Sequence, residues 1–147
     1  AFDIDHSKIY QSIYENKSVA QISLLAKVID NLRFDLDGKV ASFIISKKMI
    51  DDSGIISSEV DGFTDFVRSI NGVEVAIMIC ENEFEKCRIN FRSKGKYKVS
   101  EIAKKMGGGG HPFAAAALVE GEFSDVKSTV LNLMSTYISR FNEDNHS

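Results

Sequence analysis

Gly107-Gly-Gly-Gly-His-Pro-Phe-Ala-Ala-Ala-Ala117 is the stretch on which the reading of this chain turns. Four glycines leave the backbone without Cβ atoms and open to positive φ, so its N–H groups can approach a ligand closely. Pro112 suits the first position of a helix, and the alanine run behind it favours helix. A glycine turn opening into a helix N-terminus describes an anion site, with unpaired N–H groups and the helix dipole converging on it. His111, at the junction, is placed to donate to a phosphate or to touch a base. The competing reading is a helix C-cap glycine that runs on into a turn.

The charge distribution supports a ligand. The chain carries a net −3, yet the segment from Lys86 to Lys105 is +7 and the remainder −10. A basic segment leading into the glycine run of an otherwise acidic molecule suits a local anionic ligand better than a long duplex. At 147 residues and 44% hydrophobic composition, one domain with one core is expected. No apolar stretch reaches the roughly 20 residues of a membrane helix. Cys80 and Cys87 lack metal-ligand spacing and read as buried thiols of an intracellular, cytoplasmic protein. The chain starts at Ala1 rather than methionine, which suggests a piece of a longer protein.

Working outward, Ser7 caps a short helix over Lys8–Glu15, and Ser18 caps a second in which Ile22, Leu25, Ile29 and Leu32 recur at helical spacing. These form a lead-in segment over residues 1–34. Asp3, Asp5 and His6 resemble a fragment of a metal cluster without further partners. Residues 35–147 read as one compact α/β (α+β) unit. Asp37-Gly38 turns the chain into a strand over Lys39–Ile45. Ser46 begins a short helix ended by Gly54. A helix over Glu59–Ser69 buries Val60, Phe63, Val67 and Ile70. Val73–Cys80 is apolar enough for a central strand, and Asn82–Glu85 turns it into a hairpin partner.

In that partner, Cys87, Ile89 and Phe91 alternate with Arg88, Asn90 and Arg92, which puts two guanidiniums on one face. Val99–Met106 is a helix stopped by Gly107. Ala117–Glu120 is a short strand, and Ser124 caps a last helix with Val126, Val130, Leu133, Met134, Tyr137, Ile138 and Phe141 on its apolar face. A polar tail follows from Asn142. The sum is a mixed sheet of about four strands with helices packed against it.

The glycine loop matches neither standard nucleotide motif. No Gly-Lys-Ser/Thr follows it, and position 112 is proline where a dinucleotide fingerprint needs a continuing helix. Instead, Arg92-Ser93-Lys94, Val99-Ser-Glu-Ile-Ala103, Met106-Gly-Gly-Gly-Gly-His111 and Ala114-Ala115 together resemble the C-terminal, DHH-associated domain of DHH-family phosphoesterases. The resemblance is chiefly to the bacterial oligoribonuclease and pAp-phosphatase type (NrnA), with RecJ-like nucleases as more distant relatives. Phe2-Asp-Ile-Asp5 and Arg68-Ser-Ile-Asn-Gly-Val-Glu-Val-Ala76 extend it upstream.

The resemblance implies a domain that grips a nucleotide and its phosphates across a cleft. Arg92 and Ser93 would contact a terminal phosphate or base end, and Gly108, Gly109, Gly110 and His111 the phosphate nearest the metals, with Arg88 and Lys94 in secondary positions. It also implies an N-terminal DHH domain of the same parent chain that holds manganese, a short single-stranded oligonucleotide or nucleotide as substrate, and admits a homodimer. Ala116 stands where the family usually has glycine, and Asn90 where serine is common. With three histidines and no Asp-His-His motif, this chain holds no expected metal site or catalytic residue and is not expected to hydrolyse anything alone. Two alternatives remain beside the oligoribonuclease or 3′-phosphoadenosine 5′-phosphate phosphatase reading: the equivalent domain of a cyclic-dinucleotide phosphodiesterase, and a stand-alone nucleotide-binding or dimerisation module.

Overall fold

The computed structural model describes residues 18–55, 60–82 and 85–145. The helix expected over Lys8–Glu15, the group Asp3, Asp5 and His6, and His146 lie outside them. The described chain runs α1 (Val19–Asn31), β1 (Arg33–Asp35), β2 (Val40–Ile45), α2 (Lys47–Ser53), α3 (Asp61–Arg68), β3 (Val75–Glu81), β4 (Lys86–Ser93), α4 (Val99–Lys105), β5 (Gly109–His111), β6 (Ala114–Glu120) and α5 (Phe123–Asp144). Its strands form one mixed sheet in the order β1-β2-β3-β4-β6-β5. The α/β class is as read from the sequence. The strand count is six rather than about four, because β1 and β5 are three-residue edge strands too short to leave an alternating pattern.

β3 is the middle of the molecule. It pairs parallel with β2 and antiparallel with β4, and its first six residues are buried. A strand covered on both faces needs an apolar run rather than alternation, which Val75-Ala-Ile-Met-Ile-Cys80 supplies. Val75, Ile77 and Ile79 join Cys87, Ile89 and Phe91 of β4 in one core, closed by Val99, Ile102 and Ala103 of α4 and Val126, Val130, Met134 and Ile138 of α5. Ala76, Met78 and Cys80 point the other way, into a second core with Leu24 and Val28 of α1 and Val60, Phe63 and Val67 beside and within α3. Burying each of the larger aliphatic or aromatic side chains stabilises the fold by roughly 1.5–3 kcal/mol. Tyr97 plugs the α4–α5 seam, its ring edge-on to Phe141 at 5.1 Å and to Tyr137 at 6.1 Å.

Helix ends follow the local chemistry in most places. Ser18 Oγ accepts from the Gln21 N–H at 3.1 Å while Gln21 Oε1 accepts from the Ser18 N–H at 2.8 Å, a capping box that fixes the start of α1. Ser46 caps α2, and Gly54 ends it at φ 75°. Two details differ from the sequence reading. In α1 the buried residues are Leu24 and Val28, whereas Ile22 and Ile29 are each 51% exposed. That helix is apolar on most sides, so periodicity alone does not choose which face meets the sheet. The last helix starts two residues earlier than a Ser124 cap allows, with Glu122 at the cap position making no side-chain bond, and it continues into the expected tail as far as Asp144.

The largest departure lies at the glycine run. No helix follows it. Gly107, at φ 85°, and Gly108 close α4: the Gly108 N–H donates to the Ala103 carbonyl at 2.8 Å and the Gly107 N–H to the Lys104 carbonyl at 3.1 Å, a Schellman termination. The chain then enters β5, turns over Pro112-Phe113, and returns as β6, with His111 opposite Ala114 and Gly109 opposite Ala116. The alanine run is a strand because β4 needs a partner. Seven residues of β6, from Ala114 to Glu120, pair with Arg92 to Lys86, which satisfies backbone groups that a short alanine helix would leave unpaired. Small residues are required there. A Cβ on Gly108 would sit 2.1 Å from the Ala116 carbonyl oxygen and 2.7 Å from Ala117 Cα.

Candidate functional site

Register brings Arg92, Gly109 and His111, three of the expected residues, onto one face. Ala76, Arg92, Ala114 and His111 lie opposite one another across β3, β4, β6 and β5, and residues paired across strands point to the same face. At about 4.8 Å between neighbouring strands, the Arg92 and His111 Cα atoms stand about 10 Å apart. The next row on the same face is Met78, Asn90, Ala116 and Gly109, and the row beyond it Cys80, Arg88 and Leu118.

This face is covered only in part. α1, α2 and α3 pack over the β2–β3 side of the sheet. Beyond β4 the same face is open: Leu118 is 51% exposed and Phe113 at the hairpin turn 41%, and Ala116 and His111 are also exposed. The result is a shelf with α3 as its wall, a floor of Asn90, Ala114, Ala116 and Gly109, and His111 on the outer strand. Three of the four glycines are accounted for by the chain itself, since Gly107 and Gly110 adopt positive φ and Gly108 admits no Cβ. Gly109 is different: a Cβ there meets nothing within 4 Å. Its bare Cα faces the shelf one row from His111.

Arg92 is held from two sides. Its side chain is 23% exposed, Nη1 donates to the Phe91 carbonyl at 2.9 Å, and Nε stands 3.6 Å from Asp65 Oδ1. The same carboxylate oxygen lies 3.3 Å from Arg68 Nη2, so α3 contributes an Arg68–Asp65–Arg92 chain of charges. Neither Asp65 nor Arg68 stands out in the sequence as a site residue. They read as an ordinary i, i+3 pair on a helix surface, and only the packing of α3 beside β4 brings them to Arg92.

The remaining expected residues are placed as follows. Arg88 is half-buried on the same face as Arg92, two rows away. Ser93 faces the opposite, covered side: it is 3% exposed, its Oγ accepts from the Gly95 N–H at 3.1 Å, and its own N–H donates to the Phe113 carbonyl at 2.9 Å. Lys94 turns its Nζ to the Ile70 carbonyl at 2.8 Å. Gly108 sits in the link between α4 and β5, and Gly110 in β5 with its missing Cβ toward Ala114 and Ala115. Ser93 and Lys94 therefore shape the corner, while Arg92, Gly109 and His111 share the open face.

The electrostatic basis of the site also changes. Without a helix after the glycines, no dipole N-terminus points at a ligand there. The glycines instead follow the C-terminal, negative end of α4, whose charge Lys104 and Lys105 in its last turn offset. Attraction for an anion rests on side chains and on the outward N–H groups of the edge strand β5. A concavity of about 920 Å3 lies at the other end of the sheet around the β3–β4 turn. Glu81, Glu85, Glu120 and Glu122 outnumber Lys47 and Lys86 there, the wrong sign for phosphate, so the open face is the better candidate. Among the described residues no group of three or more His, Cys, Asp or Glu is placed to hold a metal ion, so the manganese implied by the resemblance has no fitting donor set in them. No helix among them is long and apolar enough to cross a membrane.

Comparison with known proteins places this geometry. The family described as the DHHA1 domain matches residues 21–140. The bifunctional oligoribonuclease and PAP phosphatase NrnA of Bacillus subtilis is 27% identical over 118 residues, covering 80% of this chain and 36% of that protein. The probable bifunctional oligoribonuclease and PAP phosphatase NrnA of Streptococcus mutans is 31% identical over 115 residues, covering 76% and 36%. The chain thus spans about a third of the length of these relatives. In fold, it is similar to the crystal structure of an exopolyphosphatase-related protein from Bacteroides fragilis, with a TM-score of 0.86 and 24% identity over 95% of this chain and 41% of that one. The C-Ala domain of Aquifex aeolicus alanyl-tRNA synthetase shares the fold more distantly, with a TM-score of 0.53 and 13% identity over 70% of this chain and 98% of that domain.

Proposed function

The chain belongs to the DHHA1 domain family, and from that premise we propose that it is the substrate-binding half of a phosphoesterase acting on short oligoribonucleotides, on 3′-phosphoadenosine 5′-phosphate, or on both. The observation that carries this reading is the row Arg92–Ala114–His111: a guanidinium and an imidazole on one uncovered sheet face, with the smallest side chains between them. Small residues let a flat, charged ligand lie against the sheet, while the two polar groups at the ends of the row hold its phosphates. Arg92 supplies a fixed positive charge, and His111 supplies a ring N–H donor.

In this proposal the chain binds, orients and neutralises. The bond-breaking chemistry belongs to a preceding DHH domain of the parent protein, with manganese as its metal, in the cytoplasm. Holding the phosphates in place converts the reaction in that domain into one between fixed partners, which is the largest contribution a binding domain makes to rate.

The test is calorimetric titration of this chain with adenosine 3′,5′-bisphosphate and with 5′-phosphorylated diadenylate at two salt concentrations. Binding should weaken with salt, at a slope of roughly 0.7 per phosphate neutralised. Arg92→Ala and His111→Ala should each lower affinity at least tenfold. Unchanged affinity in both variants would remove the basis of the proposal.

A further inference from the structure

We infer that Asp65 is the positioning residue of this site: projecting from α3, it fixes the guanidinium of Arg92 over the open face and tunes its charge through Arg68. The inference rests on the nucleotide-phosphate reading for its ligand, but its geometric part stands independently.

Arg92 lies on a strand, and its side chain has to choose among several directions over a flat floor of Ala114 and Ala116. Two contacts restrict it. Nη1 donates to the Phe91 carbonyl on its own strand, and Nε lies 3.6 Å from the carboxylate of Asp65 on another element, an ion pair rather than a hydrogen bond. With one Nη1 hydrogen bonded and the Asp65 carboxylate at ion-pair distance on the Nε side, where it repels a second anion, the Nη2 amino group is the part left to meet a ligand. Arg92 therefore engages an anion end-on, through one amino group, rather than with the side-on Nε/Nη2 fork that an unheld arginine offers a phosphate.

Asp65 is 51% exposed, so its pairing contributes little to stability. Its effect is orientation. Arg68 completes the device from the same helix. Its Nη2 shares the Oδ1 atom that faces Arg92, which turns the carboxylate toward the sheet and leaves the group of three with a net charge of +1. A bare arginine pair would be +2 and would draw any anion. Attraction to this +1 group scales with the charge of the ligand, so a terminal phosphomonoester, carrying a second charge, gains about twice what a phosphodiester does. The ligand class this geometry favours is a short nucleotide with a terminal phosphate.

The deciding experiment joins a ligand-free readout to a double-mutant cycle. Nitrogen-15 spectra of the arginine Nε–H groups, with the Arg92 signal assigned by its loss in Arg92→Lys, should show a slowly exchanging Arg92 Nε–H in the unmodified chain. That protection should be lost in Asp65→Asn. Affinity for 5′-phosphorylated diadenylate should fall about fivefold in Asp65→Asn, while the same change in an Arg92→Ala background should leave affinity unchanged or slightly improved. An Arg92 Nε–H equally protected in Asp65→Asn overturns the inference, as does an Asp65→Asn effect of the same size with and without Arg92. If Arg92→Ala and His111→Ala both leave binding untouched, the nucleotide reading fails, and the Nε–H exchange still decides the positioning role.

Discussion

Replacing Gly109 with alanine separates ligand contact from fold stability at a single atom. A Cβ on Gly109 has nothing within 4 Å, and the residue has no left-handed φ to strain. Gly→Ala at a compatible strand position stabilises by about 0.5–1 kcal/mol, mainly by restricting the unfolded chain. For a domain of this size that raises Tm by about 1–4 °C. The new methyl stands on the open face, in the row next to His111 and opposite Ala116. If a nucleotide lies against that bare Cα, the methyl intrudes into a close contact, at a cost of roughly 1–3 kcal/mol. At about 1.4 kcal/mol per factor of ten, affinity falls roughly 5- to 150-fold.

Gly108→Ala is the control. Its Cβ would lie 2.1 Å from the Ala116 carbonyl oxygen, a backbone clash that forces the α4–β5 link apart and costs about 3 kcal/mol or more. Thermal unfolding and calorimetric titration of both variants make the assay. A Gly109→Ala variant that is as stable as the parent and binds adenosine 3′,5′-bisphosphate equally well refutes the placement of the ligand on this face. One that unfolds refutes the steric reading of the glycine run.

Further outcomes follow from the core. The Tyr97 ring is fully buried and its hydroxyl has no hydrogen-bond partner, so Tyr97→Phe should stabilise by about 1 kcal/mol. Tyr137→Phe should instead cost a similar amount, because the Tyr137 hydroxyl accepts from the Lys98 N–H at 3.0 Å; denaturant melts compare the two. Cys80 and Cys87 are 3% and 2% exposed, so alkylation of the native chain should proceed only as fast as it opens. Burial raises the Cys87 thiol above its ordinary range. As pH rises the unfolded chain releases that proton first, so this contribution to stability is intact below about pH 8.5 and erodes above it; stability measured at pH 7.5 and 9.5, with Cys87→Ser as reference, reads the difference.

The amino-acid sequence was sufficient for the elements that carry their own punctuation. β3 was legible as an apolar run, β4 as an alternation of Cys87, Ile89 and Phe91 with Arg88, Asn90 and Arg92, and α2 as a helix between Ser46 and Gly54, because in each case the local pattern and the tertiary environment agree. The residues that share the open face, Arg92, Gly109 and His111, were also legible as types. Their reason for meeting was not. The alanine run was read as a helix because alanine favours helix in isolation, and it is a strand because the free edge of β4 is satisfied by pairing, a demand made by residues twenty or more positions away.

Sequence alone thus determined the two-sided central strand, the basic segment and the residue types proposed to meet a phosphate. Tertiary structure decided the rest. Strand order put Arg92 and His111 two strands apart on one face, helix packing covered the β2–β3 side of that face and left the remainder open, and α3 delivered Asp65 and Arg68 to Arg92 from a distant part of the chain. Local propensity reports how a residue prefers to bend the backbone. Which edge is unpaired, and which face is left bare, are properties of the assembled sheet.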